Sequence, residues 1–157
     1  MNIQILYTDG RDPGFIGLTQ QLDAELFEIY GDAVLAYQPF NTLDAIDDAV
    51  LVLSDGVPVA CGGFKSFDAH TVELKRIFVS KPYRRLGLAE TVVHALEETA
   101  RQKGNRRAVL ETGADMAGAA ALYTKLGYQI IENYGSYQND DACICMQKML
   151  TGQTENS

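Results

Sequence analysis

The chain has 157 residues, 46% of them apolar and 22% charged. That balance excludes a disordered chain and suits one domain with a sizeable core. A net charge of −8 disfavours a long polyanion such as nucleic acid as partner.

The opening residues, MNIQILYTDGRDPGF, lack the basic start and long apolar stretch of a signal peptide, and apolar runs such as AVLVL (49–53) are too short to span a bilayer. The expected home is the cytoplasm, with no membrane partner. Cys61, Cys143 and Cys145 make an odd count, expected to be reduced buried thiols. Cys143 and Cys145 fall on one face of a strand. His70 and His94 are distant in sequence from them, and no metal site is expected.

Residues 2–7 read as a strand. Asp12 and Pro13 supply an N-cap and a first helical position, and Phe15, Leu18, Leu22, Leu26 and Ile29 then recur at helical spacing over 13–30. Residues 31–48 predict a loop with a short helix. AVLVL, Ser54-Asp55-Gly56 and VPVACGGF form a hairpin pattern, with Pro58 calling for an edge or strand-start position. TVELKRIFV (71–79) is the next strand, and its alternation loses step at Arg76-Ile77, as a bulge would cause. Ala89, Val92, Val93, Leu96 and Ala100 form a helical stripe ending before Gly104. Residues 107–112 predict a buried strand, 117–126 a small-residue helix, and YQIIENY and ACICMQKML two closing strands. Residues 1–150 are thus expected to form one α+β domain, with a polar tail at 151–157. Its core would be a mixed, mostly antiparallel sheet of about seven strands, flanked by about four helices.

Charge is unevenly placed. Residues 75–107 hold nine basic and three acidic side chains, a local +6; the remainder holds four basic and 18 acidic, −14. Arg101, Lys103, Arg106 and Arg107 suit a helix C-terminus, where cations are favoured. Arg84 and Arg85 precede a helix instead, where cations are disfavoured unless an anion is present. Strand, loop and helix across PYRRLGLAE (82–90) would present free amides to such an anion, and Gly87 lets it approach the backbone. The stretch is neither a G-x-x-x-x-G-K-[ST] loop nor G-x-G-x-x-G. A kinase-like reading therefore lacks its lysine and metal ligands.

ELKRIFVSKPYRRLGLAETVVHALE (73–97), followed by LETGADMAGAAALYTKLGY (110–128), resembles the GCN5-related N-acetyltransferase (GNAT) superfamily. The first segment is similar to its strand and R/Q-x-x-G-x-G/A phosphate loop, the second to its helix ending A-x-x-LY-x-K-x-GF/Y. NYGSY (133–137) is similar to an amine-acetyltransferase subgroup. The resemblance implies acetyl-coenzyme A as cosubstrate. Its pyrophosphate would lie on the amides of Arg85, Leu86, Gly87, Leu88, Ala89 and Glu90, with Arg84 heading the motif. Its pantetheine arm would run beside Ile77, Phe78 and Val79.

Acetyl transfer to an amine requires a base, because an alkylammonium has a pKa of about 10.4, and benefits from an acid at the departing thiolate. The resemblance assigns the acid to Tyr123. Glu73 and Glu111 compete as base, Glu73 favoured, with a water relay as the remaining option. Met116 stands where many members place an asparagine that bonds the pantetheine arm; Asp115 is its potential substitute. Tyr37, Phe40 and Asn41 are candidate pocket residues for the acceptor, and the acidic remainder favours a cationic one. The expectation is acetyl transfer to a small-molecule primary amine by direct attack in a ternary complex. A homodimer is compatible with this reading. The alternatives are a protein N-terminal or lysine acetyltransferase and a non-catalytic coenzyme A-binding module.

Overall fold

The computed structural model describes residues 2–40, 42–43 and 45–150. Its strands are β1 (Ile3–Thr8), β2 (Asp48–Ser54), β3 (Val57–Asp68), β4 (Thr71–Val79), β5 (Arg107–Gly113), β6 (Gln129–Ile131) and β7 (Cys143–Met149); its α-helices are α1 (Pro13–Tyr30), α2 (Leu88–Gln102) and α3 (Ala117–Lys125). The seven strands form one mixed sheet in the order β1-β2-β3-β4-β5-β7-β6. β4 and β5 pair in parallel, and the pairings β1–β2, β2–β3, β5–β7 and β6–β7 are antiparallel. The chain divides into two compact units, one containing Leu74–Leu96 with the residues up to Lys65, the other Ser66–Glu73 with the residues from Glu97.

In the first unit α1 starts where the sequence predicts. The Asp12 carboxylate accepts from the amides of Gly14 (2.8 Å) and Phe15 (3.2 Å), and Pro13 follows at the first helical position. Three α-helices form among the described residues, not four. The expected short helix is a 3₁₀ segment, Gly31–Phe40. Gly31 ends α1 at φ 59, and Pro39 has no amide to donate. The β2–β3 hairpin turns on Asp55 and Gly56, both at positive φ, as the right-handed twist of paired strands requires. The register shifts between Val52 and Leu53, opposite Ala60 and Pro58, because Pro58 cannot complete the ladder. Phe15, Leu18, Ile46, Ala49, Leu51, Cys61 and Phe78 pack as the core of this unit. Gly62 permits a close approach: a Cβ there would sit 2.5 Å from Ile77 Cδ1 and 2.7 Å from Val92 Cγ1. The predicted stripe of α2 is realised, with Val92, Val93, Leu96 and Ala100 fully buried.

The broken alternation of β4 has a backbone cause. Arg76 is left-handed at φ 61, a conformation uncommon for a non-glycine residue. Its guanidinium donates to the Thr19 carbonyl (3.0 Å) and to Asp23 (2.6 Å), both on α1. A buried arginine fixed at two points compensates the local strain.

In the second unit β5 lies between β4 and β7, and Val109, Leu110, Cys145, Met146 and Leu150 are buried. β6 is shorter than predicted, three residues in place of YQIIENY. The Asn133 amide donates to the carbonyls of Asp140 (2.9 Å) and Cys143 (3.1 Å), which holds the chain in a loop. A 3₁₀ turn at Gly135–Tyr137 follows. Among the described residues no helix is long and apolar enough to cross a membrane. The predicted tail, 151–157, lies outside the described residues.

Candidate active site

The strand-to-helix corner lies in the first unit. β4 ends at Val79, a 3₁₀ turn spans Lys81–Tyr83, and α2 begins at Leu88. The first amides of a helix have no intrahelical acceptor, and here the preceding residue is Gly87, which has no side chain to cap them. Among the described residues none accepts a hydrogen bond from the amides of residues 85–90; Thr91 is the first to donate, to the Gly87 carbonyl at 3.1 Å. Gly87 sits at φ 79 with open space where a Cβ would point. Arg85 is also left-handed, φ 65, and its exposed guanidinium has no partner among the described residues. Amides, helix dipole and arginine together make the corner ready for an anion.

Arg84 has a different assignment. Its Nη2 bonds both carboxylate oxygens of Glu25 on α1 (2.8 and 2.7 Å), Nε bonds the Val79 carbonyl (2.9 Å), and the guanidinium lies over the Phe78 ring at 5.6 Å. It therefore braces the loop, leaving Arg85 as the available cation. The other predicted helix-end cations are engaged in the second unit: Arg101 with Glu98 and the Leu150 carbonyl, Arg107 with Gln147 and Asp68. Of the strand that would carry the pantetheine arm, Ile77 and Val79 are half-buried and Phe78 is buried in the core.

Glu73, Glu111 and Tyr123 belong to the second unit. Glu73 pairs with Val109 across the parallel β4–β5 ladder, and Glu111 lies two residues further along β5. Side chains alternate along a strand, so both carboxylates project from one face of neighbouring strands. Glu73 is 4% exposed, and the Tyr134 hydroxyl donates to its Oε2 at 2.7 Å. Burial raises the Tyr137 phenol, and the fields of Glu111 and Glu73 raise it further. One tyrosine thus senses both carboxylates that the sequence left as competitors. Tyr123 on α3 is buried, with its ring edge-on to Tyr128 at 5.8 Å. Its hydroxyl has no hydrogen-bond partner among the described residues, and burial raises its phenol above the ordinary value.

Met116 precedes α3 without a side-chain cap, and Asp115 is exposed in the turn before it. Tyr37 is half-buried in the 3₁₀ segment, Phe40 ends that segment, and Asn41 lies outside the described residues. Tyr134 as partner of Glu73 was missed by sequence reasoning, although NYGSY marks its position. The contact spans 61 residues, and no local pattern encodes it.

Cys61, Cys143 and Cys145 are buried and form no disulfide among the described residues, as expected. Burial pushes the Cys61 thiol up to about 12 from 9.0, against a smaller lowering by Arg76. Burial first, and then neighbouring charge where present, also raises the phenols of Tyr123, Tyr128, Tyr134 and Tyr137. These groups stay protonated in the folded chain at pH values where the unfolded chain has released their protons. Their contribution to stability is therefore complete below about pH 9 and falls as pH rises beyond it. The thermal midpoint is expected to drop steadily between about pH 9 and 11; a flat midpoint, followed by circular dichroism, would contradict these shifts.

An anion-ready corner feeding a central strand is suited to an acyl carrier bearing a diphosphate, and the class with this sheet and corner is that of the acyl-coenzyme A-dependent transferases. The chain belongs to the acetyltransferase (GNAT) family, whose model matches residues 15–128. The YyaT protein of Bacillus subtilis (strain 168) is 37% identical over 94 residues. That match covers 60% of this chain and 61% of YyaT, so it spans less than two-thirds of the relative. A crystal structure from Klebsiella pneumoniae, of a protein assigned as an acyl-CoA N-acyltransferase, has a TM-score of 0.78 at 30% identity, covering 94% of this chain and 97% of that one. A GNAT family acetyltransferase of Elizabethkingia anophelis with acetyl-CoA bound has a TM-score of 0.70 at 18% identity, covering 94% and 98%; at that identity the likeness is one of fold.

Proposed function

We propose that residues 1–150 act as one acetyltransferase domain that moves acetyl from acetyl-CoA to a small primary amine by direct attack. The observation that carries this reading is the row of amides at 85–90 and the Arg85 guanidinium beside it, all without a partner among the described residues. The fold neighbour from Elizabethkingia anophelis, solved with acetyl-CoA bound, supports the choice of anion. In this reading the amides of Arg85, Leu86, Gly87, Leu88, Ala89 and Glu90 hold the pyrophosphate. Arg84 acts through Glu25 to shape the loop, and Ile77, Phe78 and Val79 flank the pantetheine arm. Glu73 accepts the ammonium proton, directly or through water, with Glu111 beside it on the same face. The amine attacks the thioester carbonyl, the C–S bond breaks as Tyr123 donates its proton to the departing thiolate, and the second proton, shed by the acylated nitrogen, restores the Tyr123 hydroxyl. Tyr37, Phe40 and Asn41 contribute to the acceptor pocket, and the −14 remainder steers a cationic amine towards the protein.

Calorimetry with coenzyme A, and thiol release from acetyl-CoA across a panel of amines, test the reading. The wild-type chain is expected to bind and to release thiol with at least one small amine. Arg85→Ala removes a charge-assisted contact of about 1.5–3 kcal/mol. Gly87→Ala places a methyl where the anion approaches and strains a left-handed residue by roughly 1–2 kcal/mol. Each is expected to weaken coenzyme A about tenfold or more, with the fold retained. Absence of heat with the wild-type chain would overturn the proposal. Binding without thiol release from any amine would leave a coenzyme A-binding module, the outcome that Met116 keeps open.

A further inference from the structure

Glu73 presents an unusual problem. A carboxylate 4% exposed on a central strand is costly unless its oxygens receive hydrogen bonds. Tyr134 meets that need at Oε2 over 2.7 Å, and the tyrosine ring is itself fixed. The Phe67 ring meets it edge-on at 4.9 Å and 73°, and the Tyr137 ring at 5.8 Å and 81°. Arg107 lies over Phe67 at 6.0 Å and salt-bridges Asp68, which steadies the outer wall. The charged and titratable groups around this point include Tyr134 and Tyr137 from the loop after β6, Glu111 from β5, and Cys143 and Cys145 from β7, and buried Lys75 stands two residues along β4 from Glu73.

The geometry points to Tyr134 as the positioning residue of Glu73, its hydroxyl fixing one oxygen of the carboxylate that accepts a proton from the incoming amine. This rests on the reading of Glu73 as base. Packing by Phe67 and Tyr137 prevents the phenol from turning away. The burial that raises the Tyr134 phenol keeps it a donor across the working pH range. Phenylalanine would fill the same space and lose only this donor.

The test is a split of kcat from KM in the full chain, with the best amine of the panel. Tyr134→Phe is expected to lower kcat about tenfold or more while KM for acetyl-CoA stays within about twofold, because the carboxylate is no longer held by one oxygen. Mere loosening of the fold would lower the thermal midpoint and move both constants. Should Tyr134→Phe fail to fold, 4-fluorophenylalanine at position 134 keeps the ring and its length without the donor, and the same loss of kcat is expected. An unchanged kcat in whichever variant folds overturns the inference. Glu73→Gln separates the two levels. If it keeps the wild-type rate, Glu73 is not the base. If it loses the rate while the Tyr134 variants keep it, the positioning role alone fails.

Discussion

Tyr123→Phe is expected to lower kcat about 10²- to 10³-fold while leaving KM for acetyl-CoA within about twofold. The substitution removes one oxygen and keeps the ring, so the edge-on contact with Tyr128 at 5.8 Å survives. The hydroxyl bonds no described residue in the structure, so its loss orphans nothing in the fold. Its burial raises the phenol above the ordinary value, which keeps the proton on oxygen at neutral and mildly alkaline pH; transfer to a thiolate whose conjugate acid has a pKa of about 8.5 is then uphill and must be drawn by the breaking of the C–S bond. The proton would thus move to a group that holds it only while the sulfur carries no acyl carbon. An interaction made at the leaving group is absent from the ground state, so kcat falls and cofactor binding does not. Steady-state kinetics with acetyl-CoA and the best amine of the panel decide the matter. A Phe variant within a few-fold of wild type in kcat would remove Tyr123 from the chemistry and leave it a core residue.

Glu97→Ala should produce the largest loss of stability. Glu97 lies on α2, 1% exposed. Its carboxylate accepts from Lys148 Nζ at 3.0 and 3.2 Å and from the Tyr128 hydroxyl at 2.8 Å. The Lys148 ammonium also lies 5.8 Å from the Tyr128 ring. Removing the acid leaves an ammonium 15% exposed and a buried phenol without their acceptor. Breaking one partner of a buried pair costs about 3–5 kcal/mol. For a chain of this length, 3 kcal/mol corresponds to a fall of roughly 6–12 °C in the thermal midpoint. Exchanging both charged partners in Glu97→Met/Lys148→Met should recover much of that loss, because no charge is then stranded. Thermal unfolding by calorimetry distinguishes the outcomes: a single variant as stable as wild type would show that the triad contributes little.

Nothing local in the sequence pairs Glu97 or Tyr134 with its partner. Glu97 stands beside Glu98, outside the apolar stripe of α2, and Tyr134 is marked only by its place in NYGSY. Each acquires its role from a partner 31 to 61 residues away, and spacing along the chain holds no record of such a distance. The elements themselves were legible. The limits of α1 followed from Asp12, Pro13 and the recurrence of apolar residues, because capping and helical period are properties of neighbouring residues. The loss of step at Arg76 was equally visible, since alternation is a two-residue property.

The corner at 82–90 stands between the two cases. Its composition and its place before a helix were readable, and so was the need for an anion. Which arginine remains available was not. Arg84 and Arg85 are adjacent and chemically alike, yet α1 presents Glu25 to Arg84 alone. The sequence by itself therefore determined the elements, the anion-ready turn and the family. Only the tertiary structure decided that Arg85 is the available cation, that Glu73 and Glu111 share a face, and that Tyr134 holds one of them. The reason is physical: propensity, capping and period act over a few residues of chain, whereas hydrogen bonds and ion pairs form between whatever side chains the folded sheet brings within about 3 Å.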